Sequence, residues 1–325
     1  MSIKQSFIKF KPILKEKIWG GRKLVSQLNK KSGSNKIGES WEVSDIEGDV
    51  SVVVNGPLKG ASLKELITKY KSDFLGNCVY EKFGHKFPLL IKFIDAKEEL
   101  SIQLHPDDNL AKKRHNSLGK TEMWYVIQAD DKANLIVGFK KDSNKTEYLK
   151  KLTNKSLLDI LNVDEVTRGD AYFIPAGRIH AIGAGVMLAE IQQTSDITYR
   201  VYDWDRQDAN GEYRALHTEE ALEAIDYSAE DKYYIDYQKI VNKSSEIVSC
   251  PYFTTNILCI NGELDNKNKV DSFKIYMCIK GKVIFSNEEY NEVLEYGETL
   301  LLPANVKEFN IRSTQKSELL EVYIS

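Results

Sequence analysis

The chain has 325 residues, of which 42% are hydrophobic and 29% charged, and its formal net charge at pH 7 is −3. This length fits roughly two domains, and this composition is typical of a globular protein with a buried core. Acidic and basic residues are mixed, without a basic stripe, which argues against nucleic-acid binding. No apolar run approaches the roughly 18 residues of a membrane span. The four cysteines form no CxxC pair and the first residues lack a signal-peptide pattern, so we expect a reducing, cytoplasmic location.

Helical periodicity is limited to a few short segments. Three segments have the apolar spacing of an amphipathic helix: residues 62–70, 146–161 and 218–225. Ser62 and Glu65 have the spacing of a capping box, and Thr218 is the predicted N-cap of the third helix. We therefore expect short helical inserts near residues 60–80 and 145–162.

Strand-like segments are more numerous, and turns separate them. They are residues 50–54, 89–94, 100–105, 123–128, 135–139, 171–174, 187–192, 198–201, 253–259, 273–279, 282–285, 299–302, 309–311 and 319–323. Many short strands at this spacing favour a sandwich or barrel over an alternating βαβ fold. The sequence therefore predicts a mainly β protein.

A weak internal repeat divides these strands into two sets. The segments GDAYFIP at 169–175 and GETLLLP at 297–303 share a glycine, five further residues and a proline. The second copy has Glu308 where the first has His180. We infer two related jelly-roll β-barrels, of which only the first keeps a metal ligand at this place.

This repeat sets the predicted domain organisation. The first domain, residues 1–230, would carry the catalytic site and the helical inserts. The polar stretch at 226–249 is interpreted as the connection, and residues 231–325 as a degenerate copy of the first β-barrel with a structural role.

Polar side chains share one face of the predicted strand in LSIQLHP, residues 100–106. Because side chains alternate along a strand, Ser101, Gln103 and His105 lie together and the apolar residues face the other way. This pattern predicts a polar cavity inside a barrel. The alternative is an exposed edge strand.

The next strand adds an acidic residue to this predicted cavity. Lys120, Glu122 and Trp124 share one face, and an unpaired carboxylate in such an aromatic run would be costly unless a metal ion neutralised it. His180 lies in a turn that contains two glycines and a proline, a rigid place for a ligand. Two imidazoles and a carboxylate suit catalytic zinc and also iron(II), and Gln103 would add a weaker, neutral oxygen ligand.

A third segment, TYRVYDW at 198–204, contributes an arginine. If it is a strand, Asp196, Thr198 and Arg200 share a face. The permanently charged fork of an arginine on a cavity wall can bind a phosphate or stabilise an oxyanion. The alternative is a surface salt bridge to Asp196 or Asp203. The other histidines are interpreted as surface or structural: His85, His115 and His217.

Together these motifs resemble the class I mannose-6-phosphate isomerases of the cupin superfamily, in their short bacterial form. The segment GDAYFIPAGRIH resembles the second cupin motif, although the asparagine that often follows is missing. The more specific matches are FPLLIKFID (87–95), LSIQLHPDD (100–108), GKTEMW (119–124) and TYRVYDW (198–204), with KIWGG (17–21) and IGESW (37–41). The resemblance covers nearly the whole chain, but the large helical domain of bigger members is absent.

The resemblance implies one zinc ion per chain, held by Gln103, His105, Glu122 and His180. Lys120 and Arg200 would act in catalysis, and Ser101 and Lys92 would contact the substrate, a small sugar phosphate. The reaction would interconvert mannose 6-phosphate and fructose 6-phosphate through an enediol. The alternatives are another metal-dependent cupin enzyme, such as an iron dioxygenase, or a non-catalytic sugar-binding cupin. The catalytic base, and the choice between monomer and homodimer, stay open.

Overall fold

The computed structural model describes residues 7–207 and 210–325. Strands dominate this part of the chain. They are β1 Ile13–Gly21, β2 Ile37–Val43, β3 Asp45–Ile46, β4 Asp49–Val50, β5 Leu89–Asp95, β6 Ile102–Leu104, β7 Glu122–Ala129, β8 Asn134–Phe139, β9 Leu161–Glu165, β10 Ala171–Ile174, β11 His180–Ile182, β12 Val186–Gln193, β13 Tyr199–Tyr202, β14 Ser244–Ser249, β15 Thr254–Lys267, β16 Lys274–Lys280, β17 Lys282–Ser286, β18 Asn291–Glu295, β19 Thr299–Leu302 and β20 Glu308–Tyr323. The α-helices are α1 Lys23–Ser26, α2 Leu63–Tyr70, α3 Ser72–Leu75, α4 Asn77–Phe83, α5 Asp108–His115, α6 Lys145–Thr153 and α7 Thr218–Ala224, and 3₁₀ turns occur at Gly56–Leu58 and Leu157–Asp159.

Two antiparallel sheets form the first half of the molecule. One has six strands in the order β1-β2-β5-β12-β7-β10, and the other has five in the order β13-β6-β11-β8-β9. A cluster of apolar side chains from both sheets, including Trp124, Leu188, Leu135 and Ile182, fills part of the space between them. Neighbouring strands are mostly distant in sequence, as in a jelly roll.

The second half is one strongly bent sheet in the order β14-β15-β20-β16-β19, with β17 and β18 attached through β20. The pairing of β15 with β20 shifts register between Ile260 and Gly262, where the glycine has φ +86°. A bulge of this kind bends a long strand. The sheet curves around an apolar interior that includes Tyr276, Phe285 and Phe309.

The two halves share the largest apolar cluster. Phe93 and Ile191, on the outer face of the six-stranded sheet, belong to the same cluster as Ile257 and Leu320 of the second half. The predicted mainly β, cupin-type fold is confirmed. The domain boundary near residue 230 stays a prediction. No helix in the described ranges has the length and apolar character needed to cross a bilayer.

The predicted helices are present with changed bounds. The capping box of Ser62 with Glu65 is formed at the start of α2. The predicted helix over 146–161 was wrong in length: α6 ends at Thr153, because Lys155 adopts a left-handed φ of +53° that interrupts it. Similarly, Thr218 is the first residue of α7 and not its N-cap, since His217 takes that place.

Three predicted strand segments also differ from the structure. Residues 50–54 form no continuous strand, because β4 ends at Val50 and the next residues make only single bridges, such as Val52 with Ser62. Residues 309–311 and 319–323 belong to one 16-residue strand, β20.

Candidate active site

Three side chains that could hold a metal ion meet between the two sheets of the first half. His105 directly follows β6, Glu122 begins β7 and His180 begins β11. One ligand atom from each lies within 4.8 Å of the others. Each residue is 1% exposed. No other such cluster of histidine, cysteine or carboxylate side chains was found in the described part of the chain.

Both imidazoles present Nε2 to the centre of this cluster. His105 Nδ1 lies 2.8 Å from the carbonyl oxygen of Ile197, and His180 Nδ1 lies 2.8 Å from that of Arg178. A carbonyl oxygen only accepts, so each Nδ1 carries the proton and each Nε2 lone pair is free for a metal. Burial, aided by the charge of Lys120, lowers the pKa of His105 to about 4. Burial also lowers the pKa of His180, so both rings are neutral at pH 7.

The Glu122 carboxylate completes the group. Its oxygens lie 3.3 Å from His105 Nε2, 4.0 Å from His180 Nε2 and 3.0 Å from Lys120 Nζ. Burial alone would raise the pKa of Glu122, but Lys120 and the two histidines lower it well below its ordinary value. Lys120 forms an ion pair with Oε1, but neither oxygen accepts a hydrogen bond of regular geometry within the described structure. A buried anion with free lone pairs beside two unprotonated imidazole nitrogens fits a divalent cation.

Gln103 stands beside this group, paired in register with His180 on the neighbouring strand. Its Nε2 lies 3.5 Å from His180 Nε2, and its Oε1 lies 3.3 Å from Ser101 Oγ. A half turn of the terminal amide exchanges these two atoms and directs the oxygen toward the same point. The role of Gln103 as a fourth ligand stays a prediction.

A cavity of about 120 Å³ opens next to the three ligands. Basic side chains line it: Lys17, Lys92, Lys120, Arg200 and Arg214. The two carboxylates Glu39 and Glu190 lie on the same walls. The excess of fixed positive charge suits an anionic ligand.

Lys92 is held within the wall by its neighbours. Its Nζ donates to Glu190 Oε1 at 2.9 Å and to Gln192 Oε1 at 2.6 Å. Burial alone would lower the pKa of Lys92, but the carboxylates of Glu190, Glu39 and Glu122 outweigh it and raise the pKa. Lys92 is therefore a paired cation, and its contact with substrate stays a prediction.

Arg200 and Ser101 lie together on the same wall. The Nε of Arg200 donates to Ser101 Oγ at 3.3 Å, and one terminal nitrogen donates to the carbonyl oxygen of Ala215 at 2.9 Å. Asp203 is instead held by Arg206 and Arg214. The structure therefore does not show the alternative salt bridge from Arg200.

The edge-strand alternative for residues 100–106 does not describe β6, which lies between β13 and β11 inside its sheet. Of the three histidines interpreted as surface or structural, His217 accepts the backbone N–H of Arg200 at 3.2 Å and so supports β13. His115 Nε2 lies 2.8 Å from the Tyr199 hydroxyl oxygen.

The cavity residues on β1 and β2 had no role predicted from sequence. Glu39 accepts a hydrogen bond from Trp41 Nε1 at 2.6 Å, and its carboxylate lies 3.2 Å from Lys17 Nζ. Burial alone would raise the pKa of Glu39, but Lys92 and Lys17 lower it. One sequence feature could have indicated Glu39: it lies two residues before Trp41, so the two side chains share one face of a strand.

The strand register shows what replaces the site in the second half. Lys274 occupies the position equivalent to Glu122. In the first half, Ile174, the residue before the proline of the repeat, pairs with Glu122. In the second half, Leu302, the residue before the proline of the other copy, pairs with Lys274. Glu308 stands in the place of His180, with a side chain that is 73% exposed and paired with Lys267. Apolar side chains fill the interior. In the described residues, only the first half carries the ligand cluster.

Comparisons with known proteins identify the family of this chain. Residues 7–138 match the family model for the catalytic domain of type I phosphomannose isomerase, and residues 243–324 match the cupin domain of mannose-6-phosphate isomerase. The mannose-6-phosphate isomerase ManA of Bacillus subtilis is 34% identical over 93% of this chain and 94% of its own length. The Streptococcus mutans enzyme of that name is 35% identical over 90% of each chain.

A crystal structure of mannose 6-phosphate isomerase from Bacillus subtilis superposes with a TM-score of 0.90 at 35% identity, over 98% of this chain and 100% of that one. The apo form of the Salmonella typhimurium enzyme shares the fold, with a TM-score of 0.79 at 17% identity. His105 and Glu122 lie within the segment that matches the catalytic family model, and His180 lies outside it. This chain therefore belongs to the family of type I mannose-6-phosphate isomerases.

Proposed function

We propose that this protein is a zinc-dependent isomerase that interconverts mannose 6-phosphate and fructose 6-phosphate. One observation carries the proposal. Two neutral imidazole nitrogens and a buried carboxylate that is paired only with Lys120 converge beside a cavity lined by basic side chains. A sugar phosphate is an anion with several oxygens near its reacting carbons, so it suits fixed cations beside a metal site. The names of the relatives indicate mannose 6-phosphate as a substrate, and fructose 6-phosphate is the ketose that forms when its carbonyl group moves from C1 to C2.

Zinc suits this set of donors. His105, Glu122 and His180 would hold the ion, with Gln103 as a weaker fourth ligand. Three protein ligands leave one position open for substrate, and with Gln103 bound the substrate would make zinc five-coordinate. When bound, zinc would supply Lewis-acid stabilisation of negative charge on the sugar oxygens.

The reaction moves one proton from C2 to C1 of the open-chain sugar. A base takes the C2 proton, the electrons of that bond form the C1–C2 double bond of an enediol, and O1 gains a proton. C1 then receives a proton and O2 loses one, which gives the ketose. Both transfers need a group that gives and accepts a proton within contact distance of C1 and C2.

Lys120 is the proposed group for proton transfer. Its Nζ lies 3.0 Å from Glu122 Oε1 and 3.4 Å from His105 Nε2, and the side chain lines the cavity. Arg200 would stabilise the developing oxyanion or hold the phosphate, because its charge is permanent and its donors form a fork. Ser101 shares this wall and would donate or accept hydrogen bonds with the substrate.

The test is a coupled assay for fructose 6-phosphate formation from mannose 6-phosphate. It compares native, chelator-treated and zinc-restored protein. We expect activity to disappear on chelation and return with zinc. Turnover that survives complete metal removal would refute the metal requirement. Folded, metal-loaded protein without turnover would refute the isomerase, and oxygen uptake or binding alone would then identify a dioxygenase or a sugar-binding cupin.

We also propose a cytoplasmic location. The four cysteines are free in the structure, as expected for a reducing compartment. Fractionation of the source cells, with activity and antibody detection in each fraction, tests this location.

A further inference from the structure

Hydrogen bonds hold the backbone on both sides of Lys120. The N–H of Gly119 donates to Asp108 Oδ1 at 2.8 Å, and the N–H of Thr121 donates to Gln193 Oε1 at 2.9 Å. Gln193 in turn donates from Nε2 to the same Asp108 oxygen at 3.0 Å. One carboxylate oxygen therefore fixes the chain before and after Lys120, directly on one side and through Gln193 on the other.

The other oxygen of Asp108 is held by the second half of the molecule. Tyr252, in the turn between β14 and β15, donates its hydroxyl to Asp108 Oδ2 at 2.9 Å. The Tyr252 side chain packs against the apolar cluster shared by the two halves. Asp108 itself begins α5, which Asp107 caps through the N–H of Leu110 at 2.8 Å. Both residues of this hydrogen bond are therefore held by further contacts of their own.

The loop has little room to move toward α5. A Cβ added to Gly119 would lie 2.6 Å from the backbone nitrogen of Asp108 and 2.7 Å from the carbonyl carbon of Asp107. The backbone N–H of Lys120 also donates to the carbonyl oxygen of Pro106 at 3.2 Å. The loop therefore rests directly on the segment between β6 and α5.

We infer that Tyr252 and Asp108 are positioning residues through which the second half of the molecule holds Lys120 in place for proton transfer. The inference rests on the proposed function, which assigns that role to Lys120. Neither residue lines the cavity, so their effect reaches the substrate only through the loop. A misplacement of about 1 Å at a reacting group lowers rates by on the order of 10², so modest loosening of this loop is measurable in kcat. The second half, which lacks the ligand cluster, thereby contributes to the site.

The decisive variant is Tyr252→Phe, which removes the hydroxyl and keeps the ring. We expect kcat to fall about tenfold while KM for mannose 6-phosphate and the bound metal content change by less than about twofold, because the ligands and cavity walls are untouched. Hydrogen–deuterium exchange should rise in the peptide containing residues 117–121, and stay unchanged in the peptides of β20. In a Lys120→Ala background, Tyr252→Phe should lower kcat no further.

Two further variants separate positioning from general stability. Tyr237→Phe removes another hydroxyl outside the cavity, which donates to the carbonyl oxygen of Gly169 at 2.5 Å and lies 3.4 Å from the Tyr125 hydroxyl on β7, without contact to residues 117–121 in the described structure. It should leave kcat and the exchange of residues 117–121 unchanged. Asp108→Asn should keep most of the activity, because its amide oxygen can accept from Gly119 and Gln193 while its amino group donates to the Tyr252 hydroxyl. Asp108→Ala should lose at least as much kcat as Tyr252→Phe.

Unchanged kcat in Tyr252→Phe, with or without faster exchange, would overturn the inference. An equal fall in Tyr237→Phe would overturn it as well, because the effect would then be a general loss of stability. The unaltered protein could turn over no mannose 6-phosphate while hydrogen–deuterium exchange of residues 117–121 still rises in Tyr252→Phe. That result would refute the proposed function and would support the role of Tyr252 in holding the loop.

Discussion

A buried ion pair inside the second half tests how that half is stabilised. Lys274 Nζ lies 2.7 Å from Glu321 Oε1, and the two residues are 7% and 2% exposed. Glu321 also accepts hydrogen bonds from Tyr276 at 2.8 Å and Ser244 at 2.6 Å. Replacing one member of a buried pair typically costs about 3–5 kcal/mol, because it leaves the other charge unpaired. Since these neutral donors still hold the carboxylate, we expect Lys274→Met to cost about 3 kcal/mol at pH 7.

The pH dependence of this cost follows from the pKa of Glu321. Burial alone would raise that pKa, but Lys274 and the hydrogen bonds lower it below its ordinary value of 4.5. A lowered pKa in the folded state means that the ionised carboxylate contributes stability above the unfolded value, and that this contribution is lost as the pH falls through the folded value. The Lys274→Met substitution removes the main cause that lowers the pKa of Glu321. The difference between variant and unaltered protein should therefore be largest at pH 7 and shrink below about pH 4.

Urea unfolding followed by far-UV circular dichroism measures the effect on the whole chain. All four tryptophans lie in the first half, so their fluorescence follows that half alone. The matched control is Lys267→Met, which breaks the exposed pair with Glu308 and should change stability by less than about 0.5 kcal/mol. If Lys274→Met loses no more stability than this control at pH 7, the reasoning is refuted.

Three further predictions concern the site. Lys120→Ala should lower kcat by on the order of 10² or more with the metal retained, and near-normal kcat in the coupled assay would exclude Lys120 from proton transfer. His180→Ala should lose bound metal and activity together, and stoichiometric zinc in the purified variant would contradict the ligand set. Metal-free protein should lose stability as the pH falls from about 6.5 toward 4, because the pKa of His105 is about 4 when folded and 6.5 ordinarily, so the unfolded chain takes up the proton first. A urea midpoint that stays level over that range would contradict this.

The alternation of side chains along strands was enough to predict most of the ligand cluster. His105 directly follows β6 and continues the alternation of Ser101 and Gln103, and Glu122 begins β7 on the face that also carries Trp124, so the structure brings the two side chains together as that period predicts. His180 followed from a rigid turn and a recognisable repeat. The local sequence pattern was sufficient because the strand or turn that carries each of these residues determines the direction of its side chain.

The cavity-lining residues on β1 and β2 were harder to predict. The pairing of β1 with β2 shifts register twice, between Lys15 and Glu16 and again before Gly21. Polar and apolar side chains therefore do not alternate regularly along β1. Lys17 and Glu39 therefore gave little local signal. Pairs joined over long sequence separations, such as Lys92 with Glu190 or Asp108 with Tyr252, depend on the tertiary fold and have no local pattern at all.

Two glycine substitutions test whether the packing of the Lys120 loop sets the geometry of the site. At Gly119 an added Cβ would meet backbone atoms of Asp107 and Asp108, which cannot rotate away. At Gly33 it would meet nothing within 4 Å. Gly119→Ala must therefore displace either the loop or the start of α5, and we expect kcat to fall by about 10- to 100-fold. Gly33→Ala should leave kcat unchanged and add about 0.4–1 kcal/mol of stability by restricting the unfolded chain.

Steady-state kinetics and urea unfolding of both variants distinguish a loss of positioning from a loss of folding. In Gly119→Ala the fall in kcat should persist at temperatures and urea concentrations where the protein is fully folded, because the displaced loop belongs to the native state. The fall in kcat should also exceed any change in KM, since Arg200 lies on β13 and Ser101 directly precedes β6, both outside the displaced loop. Wild-type kcat in Gly119→Ala would mean that Lys120 reaches its position without this close packing, and the site would then be set by the ligand strands alone.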